Sequence, residues 1–154
     1  MSVRDVAEYI LRSRGEMTAM KLQKLVYYSQ AWSLVWDERP MFGEPIEAWA
    51  NGPVCRSLYS SHHRQFSVAP RSILPANVEP DLDDRAKSTI DAVLNFYGDK
   101  SAQWLSDLTH LEAPWLQARA RAGVAEGQAS TEEISLFDMH EYYSGIQAAN
   151  TIQQ

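Results

Sequence analysis

Residues 17–32 read MTAMKLQKLVYYSQAW, and this stretch decides the fold class. Thr18 is an N-cap residue, and behind it Leu22, Leu25, Val26, Ser29, Trp32, Ser33 and Trp36 recur at helical steps. On that helix Leu22, Leu25 and Val26 point into a core, Lys21, Lys24 and Tyr28 share a different stripe, and Tyr27 lies between the two. The lysine and tyrosine stripe is expected to face outward. The alternative is that Lys24 pairs with an acid and the aromatic rings complete the core with their polar ends satisfied.

Outward from this helix, helical periodicity dominates. Val3, Val6, Ala7, Ile10 and Leu11 predict a helix over about Val3–Arg14, stopped by Gly15. Pro40, Gly43 and Pro45 break the chain, and PIEAWANGP fits either a short edge strand or one helical turn. Asn51 and Gly52 signal a turn, and Pro53 suits the first position of a new helix whose buried side is Val54, Leu58 and Tyr59. Pro70, Pro75 and Pro80 predict an irregular connection or a weak strand pair around Ser67–Leu74.

Helices are then expected over Asp83–Tyr97, from Ser101 through Leu111, and from Pro114 to Gly123. A last one is expected from Ser130, which stands in capping-box spacing with Glu133. The sum is a mainly α, compact single domain over residues 1–154, a bundle of about six to eight helices. A short β-hairpin between residues 44 and 75 stays open as an addition.

Composition excludes several classes of function. A chain of 154 residues can bury roughly two-thirds of its unfolded surface without disulfide staples, and its single cysteine, Cys55, has no partner within the chain. Met1 is followed by SVRDVAEYILRSRG, too charged for the apolar part of a signal peptide, so the expected compartment is the cytoplasm. No apolar run approaches the roughly 18 residues of a membrane span. The net charge of −6 disfavours phosphate-driven binding to nucleic acid. Only the first 24 residues are mildly basic, through Arg4, Arg12, Arg14, Lys21 and Lys24, as a solvated face often is.

A search for chemistry finds little. Cys55 and His62, seven apart on one predicted helix, are separated by about 10 Å of rise, too far for proton transfer. His62 and His63 point apart on a helix and cannot share a metal unless the helix ends there. His110, Glu112, His140 and Glu141 are the remaining candidates, yet no HExxH or CxxC spacing supports a metal, and no cofactor motif is present. Asp83 and Asp84 suit a helix start. Five tryptophans point either to a full core or to a protein interface.

Three segments carry a family resemblance: MTAMKLQKLVYYSQAW, MFGEPIEAWANGPVCRSLY and IDAVLNFYGDKSAQWLSDLTHLEAPW. In this order and spacing they resemble the Panacea domain family, which includes SocA-like antitoxins and phage-associated GepA proteins, over about residues 3–120. The KLQKL element falls on Lys21, Leu22, Gln23 and Lys24, the aromatic–glycine–proline–valine element on Ala48–Val54, and the remaining pairs on Thr109, His110, Pro114 and Trp115. Ala50 and Asn51 depart from the tyrosine that relatives often carry before the glycine.

The resemblance implies an antitoxin that neutralises a cognate toxin by direct binding, as in a type II-like toxin–antitoxin system, with no catalytic residue. The SocA branch implies an alternative, an adaptor delivering the toxin to the ClpXP protease. A DNA-binding or autoregulatory role on the first two helices is a further alternative, as is a small metal enzyme using His110 and His140. A homodimer stays open. The expected partner-facing residues are Lys21, Lys24, Tyr28, Trp49, Asn51, Gly52 and Pro53, and the acidic surface suits a basic toxin.

Overall fold

A computed structural model describes residues 1–153, with side chains described for residues 1–149. In chain order the elements are α1 (Val3–Arg14), β1 (Met17–Thr18), α2 (Ala19–Trp36), β2 (Ile46–Trp49), β3 (Gly52–Cys55), α3 (Arg56–His62), β4 (Ser67–Val68), α4 (Asp84–Tyr97), α5 (Ala102–Leu111), α6 (Ala113–Ala122) and α7 (Leu136–Gln153). The mainly α, single-core architecture matches the sequence expectation, and the open hairpin exists as β2–β3.

The helix starts follow capping chemistry. Ser2 and Asp5 form a reciprocal capping box on α1, while Thr18, Asp83 and Ser101 each accept a backbone N–H with their side chains at the starts of α2, α4 and α5. Gly123 ends α6 in a left-handed conformation at φ +67°.

Helix α2 is the axis of the molecule, packed against α1, α4, α5, α7 and the hairpin. Leu22 through Leu34 are buried without interruption. The outward stripe expected for Lys21, Lys24 and Tyr28 is therefore absent: Lys24 and Tyr28 are buried and Lys21 is half-buried. A helix enclosed on every side must satisfy its polar side chains internally. Gln30 accepts from the backbone N–H of Met41 and donates to the Phe42 carbonyl, and Ser33 donates to the Arg39 carbonyl. The Tyr28 hydroxyl donates to Glu112 at 2.6 Å, and Tyr143 donates to the same oxygen at 2.8 Å. Burial pushes the Glu112 carboxyl above its usual range, against the pull of these two bonds.

The hairpin corrects two expectations. Pro53 lies inside β3, opposite Ala48, and α3 begins only at Arg56. A two-residue turn, Ala50–Asn51, makes Trp49 and Gly52 the closing pair, so Ala48 and Pro53 form the next pair, which exchanges no ladder bonds. Proline costs nothing there, having no N–H to pair. On the outer edge of β2, Ala48 donates to the Glu132 carbonyl and Ile46 accepts from Ile134. This strand-like pairing occupies residues 132–134, so α7 begins at Leu136 rather than at Ser130; Ser135 caps it by accepting from the Asp138 N–H. Residues 67–74 hold no strand pair of their own, since Ser67–Val68 pairs with Met17–Thr18.

Near the N-terminus Arg4 and Arg14 are exposed and Arg12 is half-buried, and all three are also bonded to the rest of the fold. Arg4 donates to the Ile73 carbonyl, Arg12 to the Pro75 and Val78 carbonyls, and Arg14 to the Leu94 carbonyl and Asp99. They tie α1 to the 71–78 loop and to α4. Glu8, completely buried, accepts from the N–H groups of Arg71, Ile73 and Leu74 and from Arg12. No helix among the described residues is long and apolar enough to cross a membrane.

Candidate functional site

The residues that carried the resemblance converge on the β2–β3 hairpin. Gln23, from the first turns of α2, treats Cys55 as a neighbouring strand would, accepting from its N–H at 2.9 Å and donating to its carbonyl at 3.2 Å. The same amide nitrogen lies 2.9 Å from His62 Nε2, which is thereby the acceptor. From the next residue, Lys24 Nζ donates to the Pro53 carbonyl at 3.2 Å. The KLQKL element thus closes the free edge of β3.

The other carbonyls of the hairpin are captured from α5 and α6. Arg119 donates to Ala48 at 3.0 Å, Trp115 Nε1 to Trp49 at 2.9 Å and the Ser106 hydroxyl to Asn51 at 2.8 Å. The His110 ring bridges the Ala50 carbonyl at 3.0 Å and the Ser106 carbonyl at 2.6 Å, and it lies against Trp115. Five main-chain carbonyls between residues 48 and 53 are therefore held by five side chains. Arg119 and Ser106 had no local sequence signal for this role, because their partners lie 71 and 55 residues away.

Gly52 is required at this point. Its φ of +121° is unfavourable for any side chain, and an added Cβ would lie 2.6 Å from Lys24 Cε. To make room, the buried Lys24 side chain would have to give up its bond to the Pro53 carbonyl. Gly52→Ala is expected to cost about 1–3 kcal/mol of stability, measured by urea unfolding. An unchanged midpoint and slope would mean that Lys24 does not pack across the turn.

Beside the hairpin opens a cavity of about 730 Å³. Its walls come from the start of α2 (Ala19, Met20, Gln23, Lys24), the hairpin (Trp49, Ala50, Asn51, Val54), α3 (Arg56, Tyr59, His62) and residues 129–131. Trp49 is half-buried, with its indole N–H on Glu47 at 2.8 Å and its ring edge-on to Tyr59 at 5.1 Å. Tyr59, expected on the buried side of a helix, is 39% exposed at this wall. Of the expected partner-facing residues, Lys24, Trp49 and Asn51 line the cavity, Gly52 and Pro53 are buried in the clamped turn behind it, and Tyr28 is in the core.

The electrostatics are set by burial. Lys24 is buried without a counter-ion, which pulls its ammonium down from 10.5 to about 8. Desolvation also lowers the His62 imidazole and raises the Cys55 thiol, which favours the neutral form of each. Cys55 belongs to β3 and only precedes α3, so the seven-residue helical spacing with His62 does not apply; both are held by Gln23 instead. Among the described residues no three His, Cys, Asp or Glu side chains are grouped to hold a metal ion. His110 is engaged by two carbonyls and His140 is exposed on α7.

Comparison with known proteins gives a match to the family described as antitoxin SocA-like, Panacea domain, over residues 22–116. No curated protein and no solved structure matches the chain.

Proposed function

The chain belongs to the family of SocA-like antitoxins with a Panacea domain, and on that premise we propose that it neutralises a cognate toxin by direct protein–protein binding. Family membership implies a toxin partner and a binding role rather than catalysis. The observation that carries the finer reading is the cavity beside the clamped hairpin. It is large enough to receive several side chains, and half-exposed Trp49 and Tyr59, the residue types that anchor protein interfaces, stand in its wall. Lys24 and Asn51 complete that wall, Gly52 and Pro53 hold its shape from behind, and Lys21 follows Met20 at its edge. Direct neutralisation asks for one partner surface, and this pocket supplies one. Delivery to ClpXP would need a second.

Growth tests the antitoxin role, and co-purification with the toxin separates direct binding from protease delivery. Expression of the open reading frame beside this gene is expected to arrest cells, and co-expression of this chain is expected to restore them. Trp49→Ala is expected to weaken toxin binding by about 2 kcal/mol while the variant keeps its thermal midpoint. A harmless neighbour would remove the antitoxin role, and full-strength binding by Trp49→Ala would remove this face as the interface.

A further inference from the structure

The buried charges of this protein differ in how completely they are matched. Glu8 has three backbone N–H donors and Arg12, Glu112 has two tyrosine hydroxyls, and Arg119 has the carbonyls of Ala48, Ala125 and Gln128. Lys24 offers three donors and meets a single carbonyl, that of Pro53. Among the described residues no carboxylate lies within 4.0 Å of it. Lys24 is 1% exposed, yet it is one of the residues that line the cavity. A buried cation with unused donors beside an open cavity can pair with an anionic group that enters it.

We infer that the cavity receives an aspartate or glutamate side chain of the partner, flanked by apolar residues, whose carboxylate pairs with Lys24 Nζ. The volume of about 730 Å³ far exceeds one carboxylate, and Met20, Trp49, Val54 and Tyr59 give the flanking residues an apolar wall. Gln23 and His62 do not compete for the acid, because they are bonded to each other. The net charge of −6 gives no long-range pull on an acidic group. Attraction arises on contact, where exclusion of water strengthens it. The depressed ammonium pKa of about 8 agrees with an unmatched site and should rise once a carboxylate arrives. The source of the acid rests on the antitoxin reading; the chemistry of the pocket does not.

The test uses the full chain carrying isotope-labelled lysine and three peptides: acetylated and amidated Leu-Glu-Leu, its Leu-Gln-Leu counterpart, and acetylated Leu-Leu-Leu with a free carboxyl end. The Glu peptide is expected to shift the Lys24 side-chain NMR signal and to bind at least about tenfold tighter than the Gln peptide. That preference is expected to vanish in Lys24→Met, and the wild-type comparison alone decides the matter if this variant does not fold. Equal binding of the Glu and Gln peptides, or no binding of either at millimolar concentration, overturns the inference. Preference for the free-carboxyl peptide overturns the side-chain source in favour of a chain end. A Glu preference with no growth rescue removes the antitoxin reading and leaves the pocket chemistry standing. Toxin rescue by Lys24→Met equal to wild type overturns the toxin as the source of the acid and leaves the antitoxin reading standing.

Discussion

Replacing Glu8 with alanine is expected to lower the unfolding free energy by about 3–5 kcal/mol, enough to unfold much of a marginally stable domain. The reason is the number of donors that one carboxylate satisfies. Its two oxygens accept from Arg71 at 2.8 Å, Ile73 at 3.1 Å and Leu74 at 2.7 Å, and from Arg12 at 3.2 Å. Alanine leaves those N–H groups without acceptors in a region where Ile73 is 2% exposed, and it takes from the Arg12 guanidinium one of its acceptors. Loop 71–74 should therefore lose amide protection in hydrogen exchange before the rest of the molecule does. Glu8→Gln keeps one acceptor oxygen but turns an amide group toward backbone donors, so it should fall between wild type and alanine. Urea unfolding measures all three. A loss below about 1 kcal/mol in Glu8→Ala would mean that the loop is held by its apolar contacts and not by this acid.

The second large effect is a rise of stability with pH. Lys24 has a folded-state pKa of about 8 against 10.5 in the free side chain. Below pH 8 the lysine is charged in both states, and the folded protein bears the full cost of burying it. Between about pH 8 and 10.5 the folded state is neutral while the unfolded state still binds the proton, so stability climbs; the shift corresponds to about 3 kcal/mol. Tyrosines oppose this at higher pH. Burial holds the hydroxyls of Tyr27, Tyr28 and Tyr143 above their usual 10.0, so unfolding releases their protons and stability falls once pH exceeds about 10. The expected profile rises from pH 8, peaks near 10 and then drops. In Lys24→Met the rise should be absent and the drop retained, as measured by denaturant unfolding at each pH. A wild-type curve as flat as that of the variant would show that the ammonium reaches water.

What the sequence disclosed divides along the range of the interactions. Local chemistry was legible. The capping residues Thr18, Asp83 and Ser101 lie within three positions of the N–H groups they cap, and the α1 core residues Val3, Val6, Ala7, Ile10 and Leu11 recur within one element. The turn expected at Asn51–Gly52 falls one residue earlier, at Ala50–Asn51, with Gly52 already in β3. Misplaced elements were those decided at long range. Pro53 fits the first turn of a helix by its own geometry, and only the pairing with Ala48 makes it a strand residue. Ser130 and Glu133 have capping spacing, but pairing with β2 takes that segment first.

The largest misreading concerned charge. Lysine and tyrosine at helical spacing signal an outer stripe only if one side of the helix is free, and α2 is enclosed on all sides. Glu8 and Arg12 carry no mark in the sequence of the loop they hold, which lies more than sixty positions away. For the candidate site, Trp49, Asn51 and Lys24 were found together, although Lys24 lies beneath the surface rather than on it.

The capture of five consecutive-region carbonyls between residues 48 and 53 has an evolutionary corollary. A carbonyl oxygen is common to all residue types, so Arg119, Trp115, His110, Ser106 and Lys24 grip the hairpin without regard to which side chains it bears. Substitution at Ala50 or Asn51 alters what the turn presents and leaves untouched the bonds that shape it. Such a loop is free to drift in recognition while its frame stays constant, much as a hypervariable loop does on an antibody framework. Other residues grafted onto Ala50 and Asn51 should therefore change the face of the turn without loosening its frame.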